Sequence, residues 1–249
     1  MSNRCGIILA AGEGVRMKSN KPKTLCEVLH KPMLRYVIDA MVHGDVQNIC
    51  VVTGYKKEYI ETYLQELPFS VSTVVQSERL GTGHAVMMAE DFLRQVDGDV
   101  IILGGDAPFM DSETIQQSYL QHKENGASVT VISANVENPK GYGRIVRDAE
   151  SGALSAIVEQ KDANEEIQKI KEVNSGGYWF KIKDLLAVLH KITSDNAGNE
   201  YYLPDAIKLL ISDGKIAQVF AAESADTVLG ANTPEELEEL NEIAKRKFQ

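Results

Sequence analysis

The sequence predicts an α/β fold: a mostly parallel central sheet flanked by helices, with an added β region in the second half. Three observations predict it. In the first half, short apolar runs alternate with helical stretches of about a dozen residues, the pattern of βαβ units. Glycine-bearing turns follow several of those runs, at residues 12–14, 81–83 and 104–105. After Gly126 the texture changes, and β-type runs succeed one another with little helix between them.

The elements follow in order. Residues 5–9 are a short apolar run bounded by glycine and read as the first strand. Met33, Tyr36, Val37, Ala40 and Met41 recur at helical spacing, which makes residues 33–43 a helix. Residues 48–53 are strand-like and residues 56–67 helical. A strand follows at 71–75, a helix at 84–96, a strand at 100–103 and a helix at 112–124, which Ser112 is placed to cap. In sheets built this way, ligands bind beyond the carboxyl ends of the strands.

In the second half, residues 128–134, 143–147, 154–160 and 176–181 are β-type, with one helical stretch near 165–171. They read as extra sheet laid against the parallel part. Helices at 183–191 and 202–212 and a strand at 215–220 come next. The last helix has a clear start: Thr233 as N-cap, Pro234 in the first turn, and Glu236 completing a capping box. Its apolar stripe, Leu237, Leu240 and Ile243, must pack on something. The expected organisation is therefore a domain over 1–231, with halves 1–125 and 126–231, followed by a C-terminal helix over 232–249.

A length of 249 residues suits one large domain or one domain with an appendage. Hydrophobic content of 43% and charged content of 25% are those of an ordinary globule with a substantial core. The formal charge of −10 disfavours nucleic acid as a partner, because phosphate backbones repel a negative chain that lacks a large basic face. No stretch approaches about 18 apolar residues, so no membrane span is expected. Cys5, Cys26 and Cys50 form no CxxC pair, which indicates neither a zinc knuckle nor a disulfide framework. Cys5 and Cys50 fall in strand-like runs and are expected to be buried. A reducing cytoplasm fits them.

Against that acidic background, residues 7–25, IILAAGEGVRMKSNKPKTL, gather Arg16, Lys18, Lys21 and Lys23 beside a glycine turn with no acid among them. The turn is not the GxGxxG dinucleotide fingerprint, since Met17 stands where the third glycine belongs, and it is not a P-loop. What remains is a strand, a small-residue turn and clustered cations. Gly12 and Gly14 let the backbone approach a ligand and aim N–H groups at it. Arg16 can fork two phosphate oxygens, and Lys23 can supply a point charge. Strand–turn–helix glycines and solvated loop lysines are also common in their own right, so the turn alone leaves both readings open.

Two further stretches bear on it. In IILGGDAP, residues 101–108, an apolar strand ends in Gly-Gly and Asp106 sits just past its carboxyl end, where a carboxylate can hold Mg²⁺ against phosphates. Asp106 also suits a turn or a helix cap. In QSERLGTGHA, residues 76–85, Gly81, Thr82 and Gly83 could let backbone amides and one hydroxyl read a flat base. His84 lies at a helix start with no partner acid or thiol in the sequence and is read as structural.

Taken in order, LAAGEGVRM, KPKTL, QSERLGTGHAV and GGDAPFM resemble the nucleotidyltransferase family that makes nucleotide sugars. NPKGYGRIVR, IVEQKDA, EVNSGGYWF, NEYYLPDAI and LGANTPEEL narrow the resemblance to the uridylyltransferases that make UDP-N-acetylglucosamine, over nearly the whole chain. The resemblance implies a Rossmann-like α/β domain with an added β region. It implies attack by the phosphate of N-acetylglucosamine 1-phosphate on the α-phosphorus of UTP, with pyrophosphate leaving and Mg²⁺ as cofactor. Two anionic reactants need cations more than acid–base groups, which would account for the basic turn.

Carried over by position, the resemblance implies that Arg16 and Lys23 contact phosphates and that Leu9, Ala10, Ala11, Gly12 and Gly14 wrap the nucleotide. Gln76, Gly81 and Thr82 would read uracil. Asp106 and Asn232 would ligate Mg²⁺. Gly143, Glu159 and Asn174 would hold the sugar and its N-acetyl group. Without the resemblance, Asn232 is a residue preceding the Thr233 cap, and Glu159 is a solvated strand end beside Lys161.

Val15 departs from the family's usual Thr, His30 from the Gly of a Gly-Lys-Pro, and Gly104 from a frequently bulkier residue. Family enzymes continue into a left-handed β-helix that acetylates glucosamine 1-phosphate and builds a trimer. No hexapeptide repeat occurs here, so no acetyltransferase activity and a monomer or weak oligomer are expected. The alternatives are the same chemistry on another sugar 1-phosphate with UTP or dTTP, a cytidylyltransferase, or a non-catalytic nucleotide-sugar sensor. The last could dispense with Lys23 and Asp106, yet both are present.

Overall fold

The computed structural model describes residues 4–248. Strands are β1 (Arg4–Ala10), β2 (Glu27–Val28), β3 (Lys31–Pro32), β4 (Asn48–Thr53), β5 (Ser72–Val75), β6 (Asp99–Gly104), β7 (Val129–Asn135), β8 (Arg144–Arg147), β9 (Leu154–Val158), β10 (Glu172–Lys181) and β11 (Ala217–Ala221). Helices are α1 (Met33–His43), α2 (Lys57–Gln65), α3 (Thr82–Met88), α4 (Glu90–Leu93), α5 (Ser112–Glu124), α6 (Glu165–Gln168), α7 (Ile182–Leu189), α8 (Leu203–Ser212) and α9 (Pro234–Phe248).

Among the described residues the main sheet runs β11-β7-β10-β6-β1-β4-β5, with β8 and β9 branching from β10. The strands β6, β1, β4 and β5 are mutually parallel, and β11 is parallel to β7. β10 is antiparallel to both β6 and β7. The mixed, mostly parallel α/β architecture is the one the sequence predicts. The second-half strands differ from expectation in placement. β7, β10 and β11 extend the central sheet edge to edge instead of lying against it, and only the β8–β9 hairpin projects from it. β10 also begins earlier than residue 176, because Glu172 to Asn174 pair with β7 before a bulge between Asn174 and Gly177.

Strand periodicity decides the two-layer core. On one face Ile7, Cys50, Val52, Val100, Ile102, Tyr178 and Phe180 pack under α3, α7 and α8. Their immediate neighbours Ile8, Val51, Ile101, Leu103 and Trp179 pack under α1, α2 and α5. Both faces are buried, as helices on two sides of a sheet require. Cys5 and Cys50 are fully buried, and burial pushes both thiols up to about 12, so they behave as small apolar residues. No helix among the described residues is long and apolar enough to cross a membrane.

The predicted helix at 84–96 divides at Ala89, whose N–H bonds Val86 in a tightened turn. Ala89 and Leu93 are thereby both buried against the sheet, and no Gly or Pro announces the break. α5 begins at Ser112 as predicted, but Asp111 is the N-cap. Its carboxylate accepts the Thr114 N–H at 2.7 Å, and its charge suits the positive helix end better than a hydroxyl does. At α9 half of the predicted capping box forms, and the return bond goes to Asn232 instead of Thr233: Thr233 Oγ1 accepts the Glu236 N–H at 3.2 Å. The Glu236 carboxylate in turn accepts the N–H of Asn232 at 2.6 Å. Leu240 and Ala244 then bury α9 against Met17, Val28, Met33 and Phe109, folding the C-terminal helix back onto the N-terminal loops.

At the opposite end of the sheet from the carboxyl ends, Asp99 opens β6 in a buried polar network. It accepts from Tyr119 OH at 3.2 Å and Lys123 Nζ at 3.0 Å, and His122 Nε2 faces it at 3.5 Å. Burial works to raise its pKa, but the facing His122 and Lys123 more than offset this and hold it below the usual carboxylate value. A depressed folded-state pKa contributes stability above the unfolded value that is lost as pH falls through the folded one. Denaturant melts should therefore show an acid-side loss of stability below about pH 4 that is shallower in Asp99→Asn. An identical acid limb in the variant would assign the loss to other carboxylates.

Candidate active site

The chain leaves β1 for β4 and β5 on one side and returns to place β6 on the other. A crevice at such a switch point, beyond the carboxyl ends, is where open α/β sheets bind ligands. Four connections meet there: residues 11–17 after β1, 54–56 after β4, 76–81 after β5 and 105–111 after β6. They are tied together by backbone. The Leu9 carbonyl accepts the Gly105 N–H at 3.0 Å, and the Ala11 carbonyl accepts the Tyr55 N–H at 3.1 Å.

The turn after β1 has a rigid side and an open side. Ala10 and Ala11 are buried. Gly14 takes φ +61°, and a Cβ there would fall 2.7 Å from the Lys23 Cβ, so only glycine fits. Gly12 has nothing within 4 Å of an added Cβ and faces free space. Arg16, in the short 3-10 turn Val15–Met17, is exposed and has no ion-pair partner among the described residues. The other cations are engaged or solvated. Lys21 pairs with Glu27 at 3.3 Å, Lys18 is exposed, and Arg79 crosses from the third connection to Glu13 at 3.0 Å.

Lys23 is engaged most closely of all. Its ammonium donates to Asp106 Oδ2 and, at 3.1 Å, to Asn232 Oδ1. Three residues expected in two separate roles thus meet at one point. The sequence gives no sign of this contact, because the partners lie 83 and 209 residues from Lys23. Asp106 and Asn232 present two hard oxygens converging on one cation, a donor set that fits Mg²⁺, which takes one or two protein oxygens and completes its shell with water and phosphate. No group of three or more His, Cys, Asp or Glu side chains able to hold a metal occurs among the described residues. Space around Asp106 is tight. A Cβ at Gly104 would stand 2.8 Å from Asp106 Oδ1, and one at Gly230 would stand 2.7 Å from the Asp106 carbonyl.

Among the residues expected to read the base, buried Gln76 donates through Nε2 to the Gly81 carbonyl at 3.0 Å and faces His84 Nδ1 at 3.0 Å. Its Oε1 remains as an acceptor. His84 also lies against the Tyr201 ring, which agrees with a structural role. The Thr82 hydroxyl accepts the Leu203 N–H at 3.0 Å, so its acceptor side serves the start of α8 and its O–H remains to donate. Gly81 sits at φ +111°, and a Cβ there would come within 2.7 Å of the Tyr201 carbonyl. Gly81→Ala should therefore destabilise the fold by about 2–3 kcal/mol in chemical denaturation, the cost of a Gly-only conformation plus a backbone clash. A loss under about 0.5 kcal/mol would mean that the segment around Tyr201 yields freely.

The predicted sugar residues also converge. The Gly143 carbonyl accepts the Asn174 N–H at 2.9 Å, and an added Cβ on Gly143 would lie 3.1 Å from Glu159 Oε1. Asn174 donates to Tyr178 OH at 2.6 Å. Burial, then Asp162, Asp205 and Glu200, push the Glu159 carboxyl up, and Arg144 opposes them. Tyr178 and the buried Arg144 are members that sequence reasoning missed. Each reads as one more residue of an apolar strand, and only the β10 bulge turns Asn174 and Tyr178 towards each other. Burial and the negative field of Glu236, Glu239 and Asp106 raise the Tyr142 phenol, which links this end of the crevice to the Asp106 end.

Fold and site together define an α/β class with a crevice at the switch point and a basic glycine turn beside it. Within that class the nucleotidyl transferase model matches residues 5–227, and the chain belongs to that family. The bifunctional protein GlmU of Bacillus cereus (strain G9842) is 42% identical over 248 residues, and so is that of Bacillus anthracis (strain CDC 684 / NRRL 3495). Each match covers all of this chain and 53% of the relative, so the chain spans about half the length of the curated relatives it matches. A UDP-glucose pyrophosphorylase solved with UDP-glucose superposes at a TM-score of 0.80 and 20% identity, covering 99% of this chain and 100% of that one. A putative glucose-1-phosphate thymidylyltransferase from Bacillus anthracis superposes at 0.78 and 20% identity, covering 97% and 95%. Both share the fold.

Proposed function

We propose that the chain is a Mg²⁺-dependent uridylyltransferase that joins UTP and N-acetylglucosamine 1-phosphate to give UDP-N-acetylglucosamine and pyrophosphate. Its place would be the cytoplasm, its product would feed cell-envelope precursor synthesis, and it would act as a monomer or weak oligomer. The observation that carries the reading is the meeting of Lys23, Asp106 and Asn232 at the switch point, beside the glycine turn. The 42% identity to GlmU proteins supports the choice of nucleotide and sugar.

In this mechanism the turn at Ala11, Gly12 and Gly14 wraps the triphosphate on its open side, and Arg16 forks its oxygens. The Oε1 of Gln76 accepts from the imide N–H of uracil, with the Gly81 backbone and Thr82 O–H alongside. Glu159 accepts sugar hydroxyls, and the Asn174 side chain meets the N-acetyl group. The sugar phosphate oxygen attacks the α-phosphorus in line, and pyrophosphate departs. Because the nucleophile is already an anion, no general base is needed, and catalysis rests on positioning and charge. Mg²⁺ held by Asp106 and Asn232 would supply the divalent charge that neutralises the phosphates.

The test is pyrophosphate release with Mg²⁺ and UTP, comparing N-acetylglucosamine 1-phosphate with glucose 1-phosphate and glucosamine 1-phosphate. Release favouring the N-acetyl sugar supports the assignment. Release favouring another sugar, or dTTP or CTP, overturns the substrate and keeps the phosphate site. No release with any pair leaves a nucleotide-sugar sensor as the better account.

A further inference from the structure

Lys23 stands where its own proposed cofactor would stand. Its ammonium bridges Asp106 Oδ2 and Asn232 Oδ1, the two oxygens assigned to the metal, and these are its hydrogen-bond acceptors among the described residues. Mg²⁺ sits about 2.0–2.1 Å from its oxygen ligands, so an ammonium bonded to the same two oxygens excludes it by contact and by like charge.

The backbones that carry the two acceptors are held apart from the lysine: the Asn232 N–H bonds Glu236 at the start of α9, and the Asp106 carbonyl packs against Gly230. The movable partner is the lysine side chain. The Lys23 carbonyl accepts the Cys26 N–H at 2.9 Å and its stem runs along Gly14 as far as Cδ, so the ammonium swings on the outermost bonds of the side chain. The same stem lies beside the turn whose Gly12 faces open space and whose Arg16 has no ion-pair partner among the described residues.

We propose that Lys23 is an internal stand-in cation. Its ammonium neutralises the Asp106–Asn232 pair until a divalent metal displaces it, and displacement hands the ammonium to the turn at 12–16. The inference rests on the metal-site part of the function proposed above and on none of its substrate assignments. Metal affinity is then lowered by the lysine, and lysine release is raised by the metal, with the same coupling in both directions.

Mn²⁺ binding to the full chain without nucleotide or sugar, followed by calorimetry and by the Mn²⁺ paramagnetic signal, tests this. Lys23→Met should bind Mn²⁺ on the order of tenfold more tightly than the native chain. Lys18→Met removes the same charge from the same loop and should change affinity by less than about twofold, because an exposed charge is screened. Asp106→Asn added to Lys23→Met should abolish the tight binding. Lys23→Gln serves as a second neutral variant if Lys23→Met is poorly folded. Equal or weaker binding by the neutral variants, equal tightening by Lys18→Met, or tight binding that survives Asp106→Asn each overturns the proposal. Substrates are absent throughout, so these results stand apart from the pyrophosphate assay.

Discussion

Lys23→Ala is expected to lower turnover by about 10²–10³-fold while the Michaelis constant for the sugar phosphate moves by less than about threefold. The lysine touches no predicted sugar residue. Its ammonium lies at the meeting point of the β1 turn, the β6 connection and the α9 start. In the proposed mechanism a charge placed there acts on the pentavalent phosphorus more than on the bound sugar, so its loss falls on kcat. Steady-state kinetics with the sugar phosphate varied at saturating UTP decides it. Unchanged turnover would remove Lys23 from the chemistry, and a purely Michaelis effect would make it a substrate-binding residue. If the stand-in proposal holds as well, the same class of neutral variant loses turnover and gains metal affinity, a combination that a merely structural lysine would not produce.

Asp106→Asn carries the second large effect. The carboxylate is the only charged member of the oxygen pair, and Asn232 brings a neutral carbonyl. Exchanging it for an amide keeps the shape and removes the charge that makes the pair attractive to a hard divalent cation. The expected result is a rise of at least about tenfold in the Mg²⁺ concentration giving half-maximal rate, with turnover at saturating metal down by about 10²-fold. The fold should be retained, since Asp106 is part-exposed and its main charged contact is with Lys23. Rate measured against free Mg²⁺ reads the first effect directly. A variant with the native metal response would separate Asp106 from the metal, and activity that persists in excess chelator would remove the metal from the reaction.

Much of this architecture is legible without coordinates, for a local reason. Whether residues 33–43 coil, or residues 48–53 extend, depends on contacts within a turn or along a strand, and the spacing of Met33, Val37, Ala40 and Met41 carries that information. So does the Thr233–Glu236 capping pair, whose partners are three residues apart. The glycine turn is legible because a positive φ at Gly14 restricts residue type directly. The Asp111 cap of α5 escaped because both Asp111 and Ser112 are good caps, and only the backbone angles choose between them. The break at Ala89 left no trace because a buried alanine suits a continuous helix equally well.

What lies beyond local contacts was decided elsewhere. An apolar strand such as β10 does not record its neighbours, so its antiparallel insertion between β6 and β7 could not be read from residues 172–181. The bulge that brings Asn174 to Tyr178 belongs to that pairing as well. By itself the sequence determined the alternation of elements, the two-faced apolar strands, the caps and the residue types fit for phosphate chemistry, since each rests on interactions within a few residues. The tertiary structure alone decided that Lys23, Asp106 and Asn232 share one point. That required β6 to pair beside β1 and α9 to fold back over the N-terminal loops, and burial of sheet faces and helix stripes, not any local preference, fixes those arrangements.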